Sequence, residues 1–361
     1  MPSLFDPIDL GAVHAPNRIL MAPLTRGRAT RGHVPTARMA TYYAQRASAG
    51  LIISEATGIT LEGSGWPYAP GLWSAEQVEA WKPVTAAVHE ADGRIVAQLW
   101  HMGRIVHPSL NGVHPVSSSA TTAPGKAHTY DGKQPYVEAR PLGLDEIPRL
   151  IGDYVNAARQ AMAAGFDGVQ LHGANGYLID QFLRDNSNFR EDAYGGSVEN
   201  RIRLLDEVTG ALVAEVGAGR TSVRLSPNGN SQGADDSNPE ALFTAAAKAL
   251  AVHNIAFLEL RELNPSGTFG TTDVPKQSPA IRKVFPGPLV LNQEYDAVSA
   301  QAALESGVAD AISFGRSFLA NPDLPARLQS GAALNEGEMM TWYSQGDEGY
   351  VDYPALEGAS A

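Results

Sequence analysis

The chain contains no cysteine in 361 residues. That removes disulfides, iron–sulfur clusters, thiolate zinc sites and thiol nucleophiles together. Basic residues are scarce as well: 27 lysines and arginines stand against 39 acidic residues, a formal net charge of −12. Such a surface repels nucleic acid and anionic membranes, so neither is expected as a partner, although single arginines can still hold a phosphate. No apolar run approaches the ~18 residues that a membrane-spanning helix needs. Positions 1–11 carry Asp6 and Asp9 and no basic segment. A signal peptide is therefore not expected, and a cytoplasmic location is. No strand-like run leads into Gly-x-Gly-x-x-Gly, which argues against a dinucleotide-binding sheet.

What is present supports a large core. Hydrophobic residues make up 43% of the chain, and its length suits one large α/β barrel or two ordinary domains. Eight short apolar runs recur, at 18–25, 51–56, 94–101, 169–171, 222–226, 256–261, 288–292 and 311–315. Segments with helical spacing separate most of them: 36–49, 75–91 with Ser74 as N-cap, 144–164, 198–215, 239–252 and 297–306. Strands that alternate with helices run parallel, and eight repeats favour a (β/α)8 TIM barrel over a doubly wound sheet. A single domain over 1–361 is expected. Segment 103–140 is rich in Ser, Thr, Pro, Gly and His and too long for an ordinary connection. It is expected to form a lid or a small hairpin excursion after the third strand. The tail over 341–353 carries Trp342, Tyr343, Tyr350 and Tyr353, which suggests that it packs back onto the barrel.

In such a barrel the C-terminal strand ends form the active site. Here they present Thr25, Ala56, Gln98 with Trp100, His172 with Asn175, Arg224, Glu259 with Arg261, Asn292, and Gly315 with Arg316. No His-x-His pair occurs there and carboxylates are few, so no metal site is expected. The six lysines fall in helices or loops, which disfavours Schiff-base chemistry. Neutral donors, aromatics and two well-placed arginines, Arg224 and Arg316, stand out, a set suited to a large polar aromatic cofactor that carries the chemistry itself. Gly315-Arg316 closes the last strand, where barrels often hold a phosphate; a surface salt bridge is the other reading. Arg224, between Val223 and Leu225, points inward and needs an anion. Glu55 or Glu259 would serve as a buried partner, or a cofactor that turns anionic on reduction.

The stretch 165–177 stands out. A short strand-type run, Val169 to Leu171, is followed within six residues by His172, Asn175 and Tyr177. The first two can donate hydrogen bonds to one oxygen, and a phenol with a pKa near ~10 keeps its proton at neutral pH. Two donors and one weak acid are equipment for polarising a carbonyl and protonating a neighbouring carbon. Alternatively, His172 caps a backbone group and Tyr177 fills the interior.

Several ordered motifs carry a resemblance. They are Asn17-Arg18 with Met21-Ala22-Pro23-Leu24-Thr25, then Gln98-Leu99-Trp100-His101-Met102-Gly103-Arg104, and His172-Gly173-Ala174-Asn175-Gly176-Tyr177. Asn188-Phe189-Arg190, the run from Tyr194 to Arg201, Arg224-Leu225-Ser226, Gly315-Arg316 and Asn321-Pro322-Asp323 continue the series. Over essentially its full length the chain resembles the Old Yellow Enzyme family of FMN-dependent ene-reductases. The likeness is nearest to bacterial members described as N-ethylmaleimide or cyclohexenone reductases.

The resemblance implies residue roles. Pro23, Leu24, Thr25, Ala56 and Gln98 match residues at the flavin ring, and Arg224 matches the arginine beside N1 and the C2 carbonyl. Gly315 and Arg316 match the phosphate end, with Asn292 beside them. His172 and Asn175 match the pair holding the substrate's activating oxygen, and Tyr177 matches the proton donor. Trp66, Trp100 and Tyr343 match aromatics that shape the substrate pocket. Three departures stand out: Asn175 where many relatives carry a second histidine, Trp66 where several have tyrosine, and Gly173, whose missing side chain is expected to loosen the loop aiming His172. The expected activity is NAD(P)H-dependent reduction of enones, enals, maleimides or nitroalkenes over non-covalent FMN, with NADPH or NADH as reductant. Another FMN barrel enzyme, such as a hydroxy-acid oxidase, and a non-catalytic binding barrel are the alternatives. The expected assembly is a monomer or weak homo-oligomer.

Overall fold

Runs such as Gly168–Gly173, apolar or uncharged throughout, suit strands buried on both faces, and they form the wall of a closed barrel. The computed structural model describes residues 1–356 apart from Phe269. Its barrel strands are β1 (Ile19–Met21), β2 (Ile52–Ile53), β3 (Ile95–Trp100), β4 (Gly168–Gly173), β5 (Thr221–Leu225), β6 (Phe257–Arg261), β7 (Leu289–Asn292) and β8 (Ala311–Phe314). Each pairs in parallel with the next, and β8 returns to β1 to close the ring. The (β/α)8 expectation holds.

Period-two alternation divides each strand between two environments. On β4, Val169 and Leu171 belong to the apolar layer shared with Leu150, Ala157 and Leu205 of the surrounding helices. Full burial of a side chain such as Leu171 contributes roughly 1.5–3 kcal/mol. The intervening Gln170 and His172 face the barrel axis. Gly173 stays inside the strand, opposite Leu225. A Cβ there would meet Arg224 O and a Leu225 methyl, each at 3.1 Å, so glycine permits close strand packing. Beyond it, the Ala174 and Asn175 N–H groups are held by His172 Nδ1 and Ser226 Oγ.

The N-terminal end of the barrel is shut by an antiparallel hairpin, Ile8–Leu10 with Val13–Ala15, that the sequence analysis does not anticipate. Leu10, Val13 and Ala15 pack against the inward side chains Leu20, Ile53, Val96 and Val290. Its turn requires Gly11, which has φ +65° and lies where a Cβ would collide with Gly219 O.

The helices follow the expected order with shifted ends. Ala75–Glu90 begins at Ser74, whose hydroxyl accepts from Gln77 N while Gln77 Oε1 accepts from Ser74 N, a capping box. The region 36–49 is helical only over Ala37–Ala44. The turns that follow aim the buried Arg46 guanidinium at the carbonyls of Phe318 and Leu319. The region 198–215 forms two helices, Val198–Arg201 and Arg203–Val216, meeting at Ile202. Segment 103–140 includes a two-stranded hairpin, Lys126–Thr129 with Gly132–Pro135.

The tail does pack back. Tyr350 stacks on Tyr42, ring centroids 4.2 Å apart, and the Arg28 guanidinium lies 4.6 Å from the Tyr350 ring centre. Arg26 donates to Gly349 O at 2.6 Å and Arg28 to Thr341 O at 2.9 Å. These charge-assisted bonds hold Trp342 and Tyr343 over the C-terminal face.

Candidate active site

A cavity of about 500 Å³ occupies that face, and every site residue expected from the sequence lines it. Pro23, Leu24 and Thr25 follow β1, and Ala56 follows β2. Gln98 and Trp100 come from β3, and His172 from β4, with Asn175 and Tyr177 just beyond it. Arg224 lies on β5, Asn292 ends β7, and Gly315 and Arg316 follow β8. Trp66 reaches in from the loop after Ala56, and Tyr343 from the tail.

The floor is a buried hydrogen-bonded layer. Gln98 Nε2 donates to Gln170 Oε1 at 2.7 Å, and Gln170 Nε2 donates to Glu259 Oε2 at 2.9 Å. Glu259 Oε1 also accepts from Ser313 Oγ at 2.6 Å. Arg224 joins from above. Its Nη2 donates to Asn292 Oδ1 at 2.7 Å, while its Nε stands 3.7 Å from Glu259 Oε2. That is an ion pair but not a hydrogen bond, and the buried Nε has no hydrogen-bond partner among the described residues. Of the two candidate anions for Arg224, Glu259 is the one in place. Glu55 instead accepts from the backbone N–H groups of Arg26 and Gly27. Asn292 spends its amide on Arg224 and on Ser313 O, so it braces the floor.

The His172 ring is oriented by the backbone. Ala174 N–H donates to its Nδ1 at 3.3 Å. Burial, then the nearby Arg224 and Arg261, holds the imidazole well below its usual range, so it is neutral. With Nδ1 an acceptor, the proton sits on Nε2 and the ring is a donor toward the cavity. Trp100 lies nearly parallel to it at 6.4 Å, and the Tyr177 ring stands edge-on to both at 5.0 Å. Burial, with Tyr136 and Tyr343 nearby, pushes the Tyr177 phenol above its usual range, so it keeps its proton across the physiological range. Trp66 packs against Tyr343 at 5.1 Å and His128 at 4.7 Å.

Arg316 extends toward Glu294 and Thr268. Beside it, Gln293 and Glu294 both adopt positive φ, +106° and +56°. Both lie in the positive-φ region that residues other than glycine rarely adopt.

Arg261, Gln293, Glu294, Ser231 and Gln232 also line the cavity without having been assigned to it. Arg261 had a legible signal, a charge at a barrel strand end. The other four lie on loops with no motif.

The chain is similar to known proteins over nearly all of its length. Residues 3–335 match the model of the NADH:flavin oxidoreductase / NADH oxidase family. The structure of the old yellow enzyme homologue from Zymomonas mobilis superposes with a TM-score of 0.98 at 65% identity, covering 98% of this chain and 100% of that one. Morphinone reductase in complex with tetrahydroNAD gives a TM-score of 0.94 at 43% identity, covering 100% and 99%. A probable flavin mononucleotide-dependent alkene reductase of Leishmania infantum is 42% identical over 366 residues, 98% of this chain and 97% of that one. With a closed barrel, a polar-floored cavity at its C-terminal face and this similarity, the chain belongs to the NADH:flavin oxidoreductase / NADH oxidase family, among the Old Yellow Enzyme homologues.

Proposed function

We propose that the chain is an NAD(P)H-dependent ene-reductase in which His172, Asn175 and Tyr177 act on an electron-poor alkene above FMN. The observation that carries this reading is that a neutral Nε2–H imidazole, an amide and a protonated phenol line one cavity. The cavity residues fit the cofactor. Pro23, Leu24 and Ala56 offer apolar surface to a planar ring, and Thr25 and Gln98 offer polar groups at its edge. The buried Arg224 Nε, which lacks a hydrogen-bond partner among the described residues, suits an anionic ring edge. Gly315 and Arg316, at the end of the last strand, suit a phosphate.

When bound and reduced by NADPH or NADH, FMN would supply the hydride chemistry at the alkene's β-carbon. His172 Nε2 and Asn175 Nδ2 donate to the substrate's carbonyl or nitro oxygen and hold the negative charge that collects there, the logic of an oxyanion hole. Tyr177 passes its phenolic proton to the α-carbon and is reprotonated by solvent. Trp66, Trp100 and Tyr343 close the pocket around the alkene and exclude water. A hydroxy-acid oxidase needs a base where these residues present donors, which disfavours that alternative.

No helix among the described residues is long and apolar enough to cross a membrane. The reading includes a cytoplasmic enzyme acting on small molecules, a monomer or weak homo-oligomer, with no nucleic-acid partner. The test is the visible spectrum of the purified protein. An oxidised-flavin spectrum that NADPH bleaches and cyclohexenone restores is expected; a colourless protein, or a flavin that enones do not reoxidise, overturns the proposal.

A further inference from the structure

Asn175 is held by two contacts that differ in kind. Its backbone has φ +60°, in the left-handed region where asparagine is tolerated, and its N–H donates to Ser226 Oγ at 2.8 Å. That bond fixes where the side chain starts. Its end is fixed by Arg261, whose Nη1 donates to Asn175 Oδ1 at 3.0 Å. The two ends of a carboxamide have nearly the same shape, so hydrogen-bond partners decide which way it faces. A guanidinium carries only donors. The amide oxygen must therefore face Arg261, and Nδ2 must point away from it.

Arg261 is built into the strand wall rather than adrift in the pocket. It is the last residue of β6, paired in register with Asn292. Its Nε donates to Gln293 Oε1 at 3.1 Å, and the same Nη1 that meets Asn175 reaches Ser231 Oγ at 3.2 Å. The guanidinium thus joins the turn after β4, the loop after β5 and the loop after β7.

We infer that Arg261 is the positioning residue for Asn175, locking its amide so that only the N–H₂ end is offered to the substrate. This rests on the reading of His172 and Asn175 as the oxygen-binding pair. The locked amide makes the site specific for an oxygen that only accepts, such as an enone carbonyl, a nitro group or a phenolate. A substrate with a hydroxyl donor at that place meets two N–H groups and no acceptor from the pair. The lock also accounts for asparagine at 175. A histidine there would have to give one ring nitrogen to Arg261 as an acceptor, and when protonated would face it donor to donor.

A double-mutant cycle tests the inference, read by titrating the holoenzyme with 4-chlorophenol and following the long-wavelength charge-transfer band of the bound phenolate. Asn175→Ala should weaken phenolate binding about ten- to a hundred-fold, the loss of one hydrogen bond to a charged oxygen. Arg261→Met should weaken it about ten-fold in the wild-type background and by clearly less in the Asn175→Ala background, because Arg261 acts chiefly through the amide. Arg261→Lys, which keeps a cationic donor for Oδ1, should bind more tightly than Arg261→Met, a rescue that a packing role would not give. KM for cyclohexenone should rise in Arg261→Met, and flavin content per chain is measured for each variant. Equal losses from Arg261→Met in the two backgrounds, or none in either, overturn the inference. If Arg261→Met does not fold, Arg261→Lys and Arg261→Gln take its place in the same cycle. If Asn175→Ala itself leaves binding unchanged, the oxygen-pair reading fails instead, and the two failures are distinct.

Discussion

Arg316 Nη2 stands 2.6 Å from a carboxylate oxygen of Glu294, so the cation at the end of the last strand already has an anion beside it. A phosphate bound there shares Arg316 with Glu294. Arg316→Ala should weaken FMN retention about ten- to a hundred-fold, the loss of a charge-assisted bond worth roughly 1.5–3 kcal/mol. Glu294→Gln, which removes like-charge repulsion, should tighten retention. Equilibrium ultrafiltration of the holoenzyme measures both, and the flavin released by acid should be free FMN.

The two donors at the oxygen site should act together. His172→Ala with Asn175→Ala should abolish the charge-transfer band that phenols with electron-withdrawing groups give, and slow enone reduction strongly. An unchanged phenol titration in the double variant would move the oxygen site elsewhere.

Tyr177→Phe keeps the ring against Trp100 and His172 and removes only the acid. General-acid assistance is typically worth ~10²–10⁴-fold, so enone turnover should fall within that range. Flavin reduction by NADPH needs no such proton and should be unaffected. Nitroalkenes should suffer less, because their nitronate products survive long enough to be protonated by solvent. Stopped-flow measurement of the two half-reactions with cyclohexenone and a nitroalkene separates these outcomes.

Burial pushes the Glu55 carboxyl up to about 7, against the opposing pull of the Arg26 and Gly27 N–H groups and the Arg26 charge. In the unfolded chain it ionises near its ordinary value of 4.5. Between these values the folded protein holds a proton that the unfolded chain has released. The group's contribution to stability is therefore full below about 4.5 and is lost as pH rises through about 7. Glu55→Gln stays neutral and keeps an oxygen for the two backbone donors. It should gain on the wild type as pH rises, by at most about 3 kcal/mol. Urea unfolding of both proteins from pH 5 to 8 checks the sign; a difference that does not change with pH refutes it.

The barrel was readable from the sequence because its eight wall strands are short runs centred on Val, Ile, Leu and Phe, and Gly, Pro and capping residues punctuate the helices between them. Pro239–Val252 matches its expected bounds because Asn238 caps it and Pro239 opens it. The N-terminal hairpin was not readable. Its strands have three residues each, and what places them is packing against residues such as Ile53, Val96 and Val290, far along the chain. The same division holds in the site. His172, Tyr177 and Arg316 announce themselves by residue type at strand ends. Gln170 and Glu259 carry no motif, and their role in the floor emerges only when neighbouring strands set their inward side chains at one level. Arg261 was visible as a charge at a strand end, but its partner Asn175 lies 86 positions away, two strands along the barrel wall.

The plug formed by Ile8–Leu10 and Val13–Ala15 closes one end of the barrel, and the cavity lies at the opposite end, where two reactants have to be served. On the proposed reading the nicotinamide reduces the flavin and leaves before the alkene enters the same cavity. Initial-rate plots against the two reactants should give parallel lines, the signature of a ping-pong scheme. Each reactant in excess should inhibit the other competitively.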